Sequence, residues 1–163
     1  MKTTISEVEI TGGSAHTTSE YSDEYKPINA FIGTRYKGWT SGGVLPQMVW
    51  YDFGSGNAFE PARVTFRGER KKIPTVWEFV GSNDAVCSGS GNWTILCQDH
   101  SDVIPQLREE TKYCNVNIKT NIMGRVEFSW FYEKYRCLGI NVISAPAVNT
   151  GVSNVRMWKL VFH

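Results

Sequence analysis

Side chains alternate with a period of two along much of this chain, and that leaves few folds open. ARVTFRG sets Val64 and Phe66 on one face and Arg63, Thr65 and Arg67 on the other. PQMVWYDFG places Val49, Tyr51 and Phe53 together, opposite Met48, Trp50 and Asp52. TVWEFVGS pairs Trp77 with Phe79, and VRMWKLVFH groups Trp158, Leu160 and Phe162. Runs of aromatic and β-branched residues with this period predict strands. Clusters of Gly, Asn, Ser and Asp (TGGS, TSGG, GSGN, GSND, SGSGN, NTG) separate them as turns. Only DVIPQLREETK has the makings of a helix, and it is too short to organise a core. Short strands without alternating helices argue an all-β sandwich or barrel. With no repeat, linker or low-complexity tract, residues 1–163 read as a single domain.

Composition narrows the function. The 17 Lys and Arg balance 16 Asp and Glu, a net charge of +1 that excludes a globally basic nucleic-acid binder. With 41% hydrophobic and 20% charged residues, disorder is excluded as well. No apolar run approaches the roughly 18 residues that a membrane span needs. The N-terminal MKTTISEVEITGG lacks the apolar stretch of a secretory signal, so a signal is absent or was removed. If Met1 is the native start, the location is cytoplasmic.

In a sandwich, rigid sheets hold loops whose chemistry can vary. The longest polar connections are 19–39, 67–74, 84–93 and 99–112. Several carry a family signature. TTSEYSDEYKPINAFIG, then GWTSGGVLPQMVWYDFG, RVTFRG, WEFVGSNDA and NWTIL resemble, in order, a discoidin domain, also called the coagulation factor V/VIII type C domain. The likeness runs from about Ala15 to Phe162, and its specificity lies in the order KPxNAFxG…GWTS…DFG…GSND…NWT. It implies a galactose-binding-domain-like jelly-roll β-sandwich of about eight antiparallel strands. It also implies a non-catalytic module that holds glycans, phospholipid headgroups or proteins in loops at one end.

The resemblance is uneven residue by residue. Many sugar-binding members hold a structural calcium with an Asp where this chain has Ile32, and with a Thr where it has Lys37. The acid often found in the closing strand is missing from RMWKL. Calcium requires six to eight oxygen ligands, so no calcium, and no other metal or cofactor, is expected. The Lys37 ammonium either fills the cation's place or points to solvent. In RGE, Arg67 and Glu69 match an arginine and acid that address galactose-type sugars in relatives. Guanidinium and carboxylate can each bind two vicinal hydroxyls.

The remaining candidates lie nearby. Arg70, Lys71 and Lys72 extend the basic stretch 67–72, where Ile73 and Pro74 offer little for bilayer insertion but the charge suits anionic headgroups or sulfated glycans. The first long loop supplies Tyr21, Asp23 and Tyr25, and TRYKGW supplies Arg35 and Tyr36. Rings beside hydrogen-bonding groups form a sugar platform. Trp39 is assigned to the core. The expected ligand-binding set is therefore Tyr21, Asp23, Tyr25, Arg35, Tyr36, Arg67, Glu69 and Arg70. The acidic segment Glu20–Glu24 and the basic stretch are expected to share a rim.

Four cysteines permit three pairings. Cys87 and Cys97 bracket the SGSGNWT turn, and Cys114 and Cys137 fall in two later strands, so an extracellular or cell-surface protein would pair them that way. A cytosolic one would keep four thiols. Asn92-Trp93-Thr94 is a sequon usable only in a secretory compartment. His16, His100 and His163 are scattered, and no GxSxG, HExxH or P-loop occurs. Cys97, His100 and Asp102 are close in sequence, which supplies no triad geometry. The expectation is a non-catalytic, lectin-like or cell-adhesion domain that binds a glycan or glycoconjugate. The alternative is a module for a protein partner or anionic phospholipid.

Overall fold

The computed structural model describes residues 7–8, 10–100, 109–116, 133–145 and 154–163. Among them are nine strands and one helical turn: β1 (Ser14–Thr17), α1 (Asn29–Ile32), β2 (Trp39–Thr40), β3 (Gln47–Asp52), β4 (Arg63–Glu69), β5 (Val76–Ser82), β6 (Thr94–His100), β7 (Glu109–Asn115), β8 (Cys137–Ser144) and β9 (Arg156–Phe162). They form a five-stranded sheet, β1-β3-β8-β5-β6, and a four-stranded sheet, β2-β9-β4-β7. Every pairing is antiparallel. The architecture is the expected β-sandwich.

Alternation decides what lies between the sheets. Val64 and Phe66 of β4 meet Val49, Tyr51, Phe53, Trp77, Phe79 and Ile140 in one core. Trp39 joins them with no exposed surface, as expected, and its indole N–H donates to the Ser19 carbonyl at 3.1 Å. Burying a side chain of this size stabilises the fold by roughly 2–3 kcal/mol.

The last strand departs from simple alternation. Lys159 sits at φ 50°, and the β4–β9 register shifts beside it, so one extra residue is accommodated. Met157, Leu160 and Phe162 face the core, while Trp158 pairs with Arg67 on the outer side. Trp158 therefore does not share a face with Leu160 and Phe162 as its spacing suggests. DVIPQLREETK differs too: Glu109–Lys112 opens β7, and the preceding residues lie outside the described ones. The helical turn is instead at Asn29–Ile32, where Ala30 and Phe31 are buried.

The five-stranded sheet is covered on its outer face as well. Met48, Trp50, Val80, Cys87 and Cys137 form a second cluster with Trp93 against it. Gly139 makes this possible, because a Cβ there would lie 2.6 Å from the Trp50 Cβ. The 83–93 connection folds over the face and is tied down at several points. Asp52 and Arg136 form a two-pronged pair at 2.9 and 3.1 Å. Arg136 also donates to the Ala85 carbonyl at 2.6 Å, and Asn83 accepts from the Arg136 backbone N–H at 2.9 Å. Asp84 accepts from the Asn92 backbone N–H at 2.8 Å. The GSND, NWT and DFG signatures are thus brackets for this connection.

The cysteines pair as Cys87–Cys137 and Cys97–Cys114, not as Cys87–Cys97 and Cys114–Cys137. Register explains the correction. Cys97 lies opposite Phe79, whereas Cys87 is several residues beyond the last paired position of β5, so the two never face each other. Cys114 is on β7 in one sheet and Cys137 on β8 in the other. Cys97 and Cys114 instead join β6 to β7, one edge strand of each sheet, and staple the sandwich along that side.

Candidate functional site

The ends of β2 and β4 and the starts of β7 and β9 come together at one end of the four-stranded sheet, bringing Thr40, Glu69, Glu109 and Arg156 to its outer face. Arg156 is the hub. Its Nε donates to the Thr40 hydroxyl at 3.0 Å, its Nη1 lies 3.8 Å from Glu69 Oε2, and its guanidinium lies 5.0 Å from the centre of the Tyr25 ring. Its backbone N–H donates to the Lys72 carbonyl at 3.0 Å, which docks the 70–75 turn against β9. Tyr21 packs edge-on against Tyr25 at 6.0 Å and remains 60% exposed. Its backbone N–H donates to the Thr40 carbonyl at 2.8 Å, laying the first long loop over β2.

Charge is concentrated here. Burial pushes the Lys72 ammonium below the usual lysine range, and Arg156 beside it pushes the same way, with Glu69 opposing. Arg67 lies two residues before Glu69 on the same face, and its Nε is buried with no partner among the described residues. Glu109 is opposite Glu69 across the β4–β7 pairing and binds Arg35 at 3.3 Å. The Arg35 guanidinium in turn lies 5.6 Å from the Tyr36 ring, which is 75% exposed.

Tyr21, Tyr25 and Glu69 thus gather around Arg156, with Arg35 and Tyr36 on the flank beyond Glu109 and Arg67 behind Glu69. Asp23 and Arg70 are exposed on the two neighbouring turns and make no ion pair among the described residues. The acidic and basic loops do share an end of the sandwich, with Arg156 between them rather than direct pairs across the rim. Arg67 and Glu69 belong to strand β4, not to the turn, which begins at Arg70. The sequence offers Lys72 only as part of the basic stretch 67–72, and Arg156 is absent from the candidates drawn from it. RMWKL was read only for a missing acid, and the signal available was a cation opening a strand after a loop.

Other expectations can be placed as well. Ile73 and Pro74 are buried, because Ile73 fills the space that Gly68 leaves open. The basic turn therefore presents no apolar tip to a bilayer. Lys37 is exposed, with no ion pair among the described residues, and Ile32 is 68% exposed. Ile32 lines a mostly apolar cleft of about 420 Å³ with Glu7, Val8, Ile10, Phe31, Leu160 and Val161, which includes none of the candidate residues. Asp52, Cys87 and Cys137 lie close enough to suggest metal ligands. The two sulfurs are bonded to each other and the carboxylate is held by Arg136.

The two-sheet sandwich is the galactose-binding-like fold also seen in carbohydrate-binding modules of family 32. The third family 32 module of a family 31 glycoside hydrolase from Clostridium perfringens superposes with a TM-score of 0.69, at 16% identity over 96% of this chain and 94% of that one. Chitosan-binding module 2 from a Paenibacillus sp. IK-5 chitosanase/glucanase, solved with chitotriose, gives 0.64 at 15% over 93% and 96%. The family 32 module of C. perfringens NanJ, solved with galactose, gives 0.62 at 15% over 92% of each chain. No protein-family model and no curated protein matches the sequence. Similarity at this identity establishes the fold.

Proposed function

We propose that residues 1–163 form one non-catalytic glycan-binding domain, lectin-like or adhesive in role. Its ligand lies on the shallow surface around Arg156. The observation that carries the reading is the convergence of an exposed ring, Tyr21, with a guanidinium and a carboxylate, Arg156 and Glu69, at one end of the sandwich. A sugar stacks its C–H face on Tyr21 while Arg156 donates to, and Glu69 accepts from, neighbouring hydroxyls. Tyr25 fixes the Arg156 plane from behind, and Arg35, Tyr36, Asp23, Arg67 and Arg70 extend the surface for further residues of the glycan. The chitotriose and galactose held by similar folds support this ligand class.

Two disulfides support an extracellular or cell-surface setting, since such bonds persist in oxidising compartments. A shallow surface binds single sugars weakly, so useful attachment depends on multivalency. Binding of the wild type and of Arg156→Gln to a broad glycan array tests the proposal. Retention of a defined set of glycans by the wild type, with loss in Arg156→Gln, is expected. No glycan retained by the wild type, or equal retention by the variant, would sink it.

A further inference from the structure

We propose that this surface selects glycans bearing an oxyanion, the carboxylate of a uronic acid or a sulfate ester, over neutral glycans of the same shape. The inference rests on the glycan-binding reading above and specifies its ligand.

Three cations, Arg67, Lys72 and Arg156, gather about a single carboxylate, Glu69. Glu109, the next acid on this face, is committed to Arg35 at 3.3 Å. The exposed acids Glu20, Asp23 and Glu24 form no ion pair with these cations among the described residues. Donors remain unspent. Arg156 uses Nε on Thr40 and turns Nη1 toward Glu69, leaving Nη2 without a protein partner among the described residues. Arg67 Nε also lacks one, but it is buried and so not open to the ligand.

Each arrangement is costly in the unliganded protein, because like charges held together in a partly buried place repel. Lys72 is pushed down first by its burial, with the Arg156 charge adding to it and Glu69 opposing. An incoming oxyanion relieves it and accepts charge-assisted hydrogen bonds, which are roughly twice as strong as neutral ones. A neutral hydroxyl can accept from the same cations but brings no charge to offset their repulsion. Glu69 excludes an anion from its own side and so orients the ligand, with hydroxyls toward Glu69 and the oxyanion toward Lys72 and Arg156.

Matched pairs test this. Trigalacturonate is titrated beside its fully methyl-esterified form, and a 6-sulfated galactose disaccharide beside its unsulfated parent, by calorimetry at about 50 mM and about 500 mM salt. The proposal expects at least one charged member to bind roughly tenfold more tightly than its partner at low salt, with the gap narrowing at high salt. Whichever pair shows the gap identifies the oxyanion. Lys72→Gln should reduce the preference severalfold while leaving neutral binding intact, and Lys134→Gln, an equal change of net charge at the other end, should not. Equal binding within both pairs, or equal loss in Lys134→Gln, overturns the preference alone. No binding by any of the four sugars overturns the preference, and the glycan reading falls with it only if the broad array is empty as well.

Discussion

Removing the two disulfides separately distinguishes their roles, and the chain lengths they close set the scale. Cys87–Cys137 spans 50 residues of sequence and Cys97–Cys114 spans 17. In the chain-entropy description, opening the first releases about 4 kcal/mol of denatured-state entropy at 25 °C and opening the second about 3 kcal/mol. For a chain of this size each kcal/mol is worth about 2–4 °C. The paired variant Cys87→Ala/Cys137→Ala should therefore melt on the order of 10 °C below the wild type, and Cys97→Ala/Cys114→Ala somewhat less far below it. Urea unfolding of all three proteins, with slopes compared to detect changes in the denatured state, measures the difference directly. Cys137 lies at the opposite end of β8 from the glycan surface, so loss of its bond should lower stability without changing affinity for a bound sugar. A larger cost for the shorter loop would refute the reasoning. So would a non-reduced peptide map joining Cys87 to Cys97.

Other consequences are more local. Asp52→Asn should flatten the acid limb of the stability profile. Burial alone would raise this carboxyl, but the Arg136 fork, the Gly54 N–H and His16 together hold it below its usual value. Its stabilisation is present above the unfolded pKa and is lost as pH falls through the lowered folded one, so urea midpoints from about pH 5 down to pH 2 report it. Gly139→Ala should cost roughly 1–3 kcal/mol, because its Cβ would meet Trp50 and the Val49 carbonyl at 2.6 Å; altered tryptophan fluorescence would accompany the loss, and an unchanged melting temperature would refute it. Tyr21→Ala, at a ring 60% exposed, should weaken glycan binding severalfold with the melting temperature within about 2 °C of wild type.

The period-two runs of β3, β4 and β5 carried enough information to assign their faces, since Val49, Tyr51, Phe53, Val64, Phe66, Trp77 and Phe79 all enter the core. The motifs behind the family resemblance were legible because they build the fold. Asn29 donates to the Glu24 carbonyl at 2.8 Å, Asp52 clasps Arg136, and Asp84 holds Asn92. Such residues read clearly because the backbone geometry around them is shared, whatever the ligand. The helical turn at α1 was too short to produce periodicity, and the bulge at Lys159 reversed the facing of Trp158.

By itself, then, the sequence determined the all-β class, most of the core faces, and the loops from which a site would be built. Local alternation and turn chemistry act within a few residues and need no partner to be read. Tertiary structure alone decided the cysteine pairing, since edge strands distant in the chain become neighbours only when the sheets close. It also decided which charges meet. Glu69 and Arg156 are far apart in sequence and become partners because β4 and β9 pair antiparallel beneath the loop that carries Tyr21 and Tyr25. Long-range register sets Lys72 and Arg156 of a near-neutral chain beside Glu69.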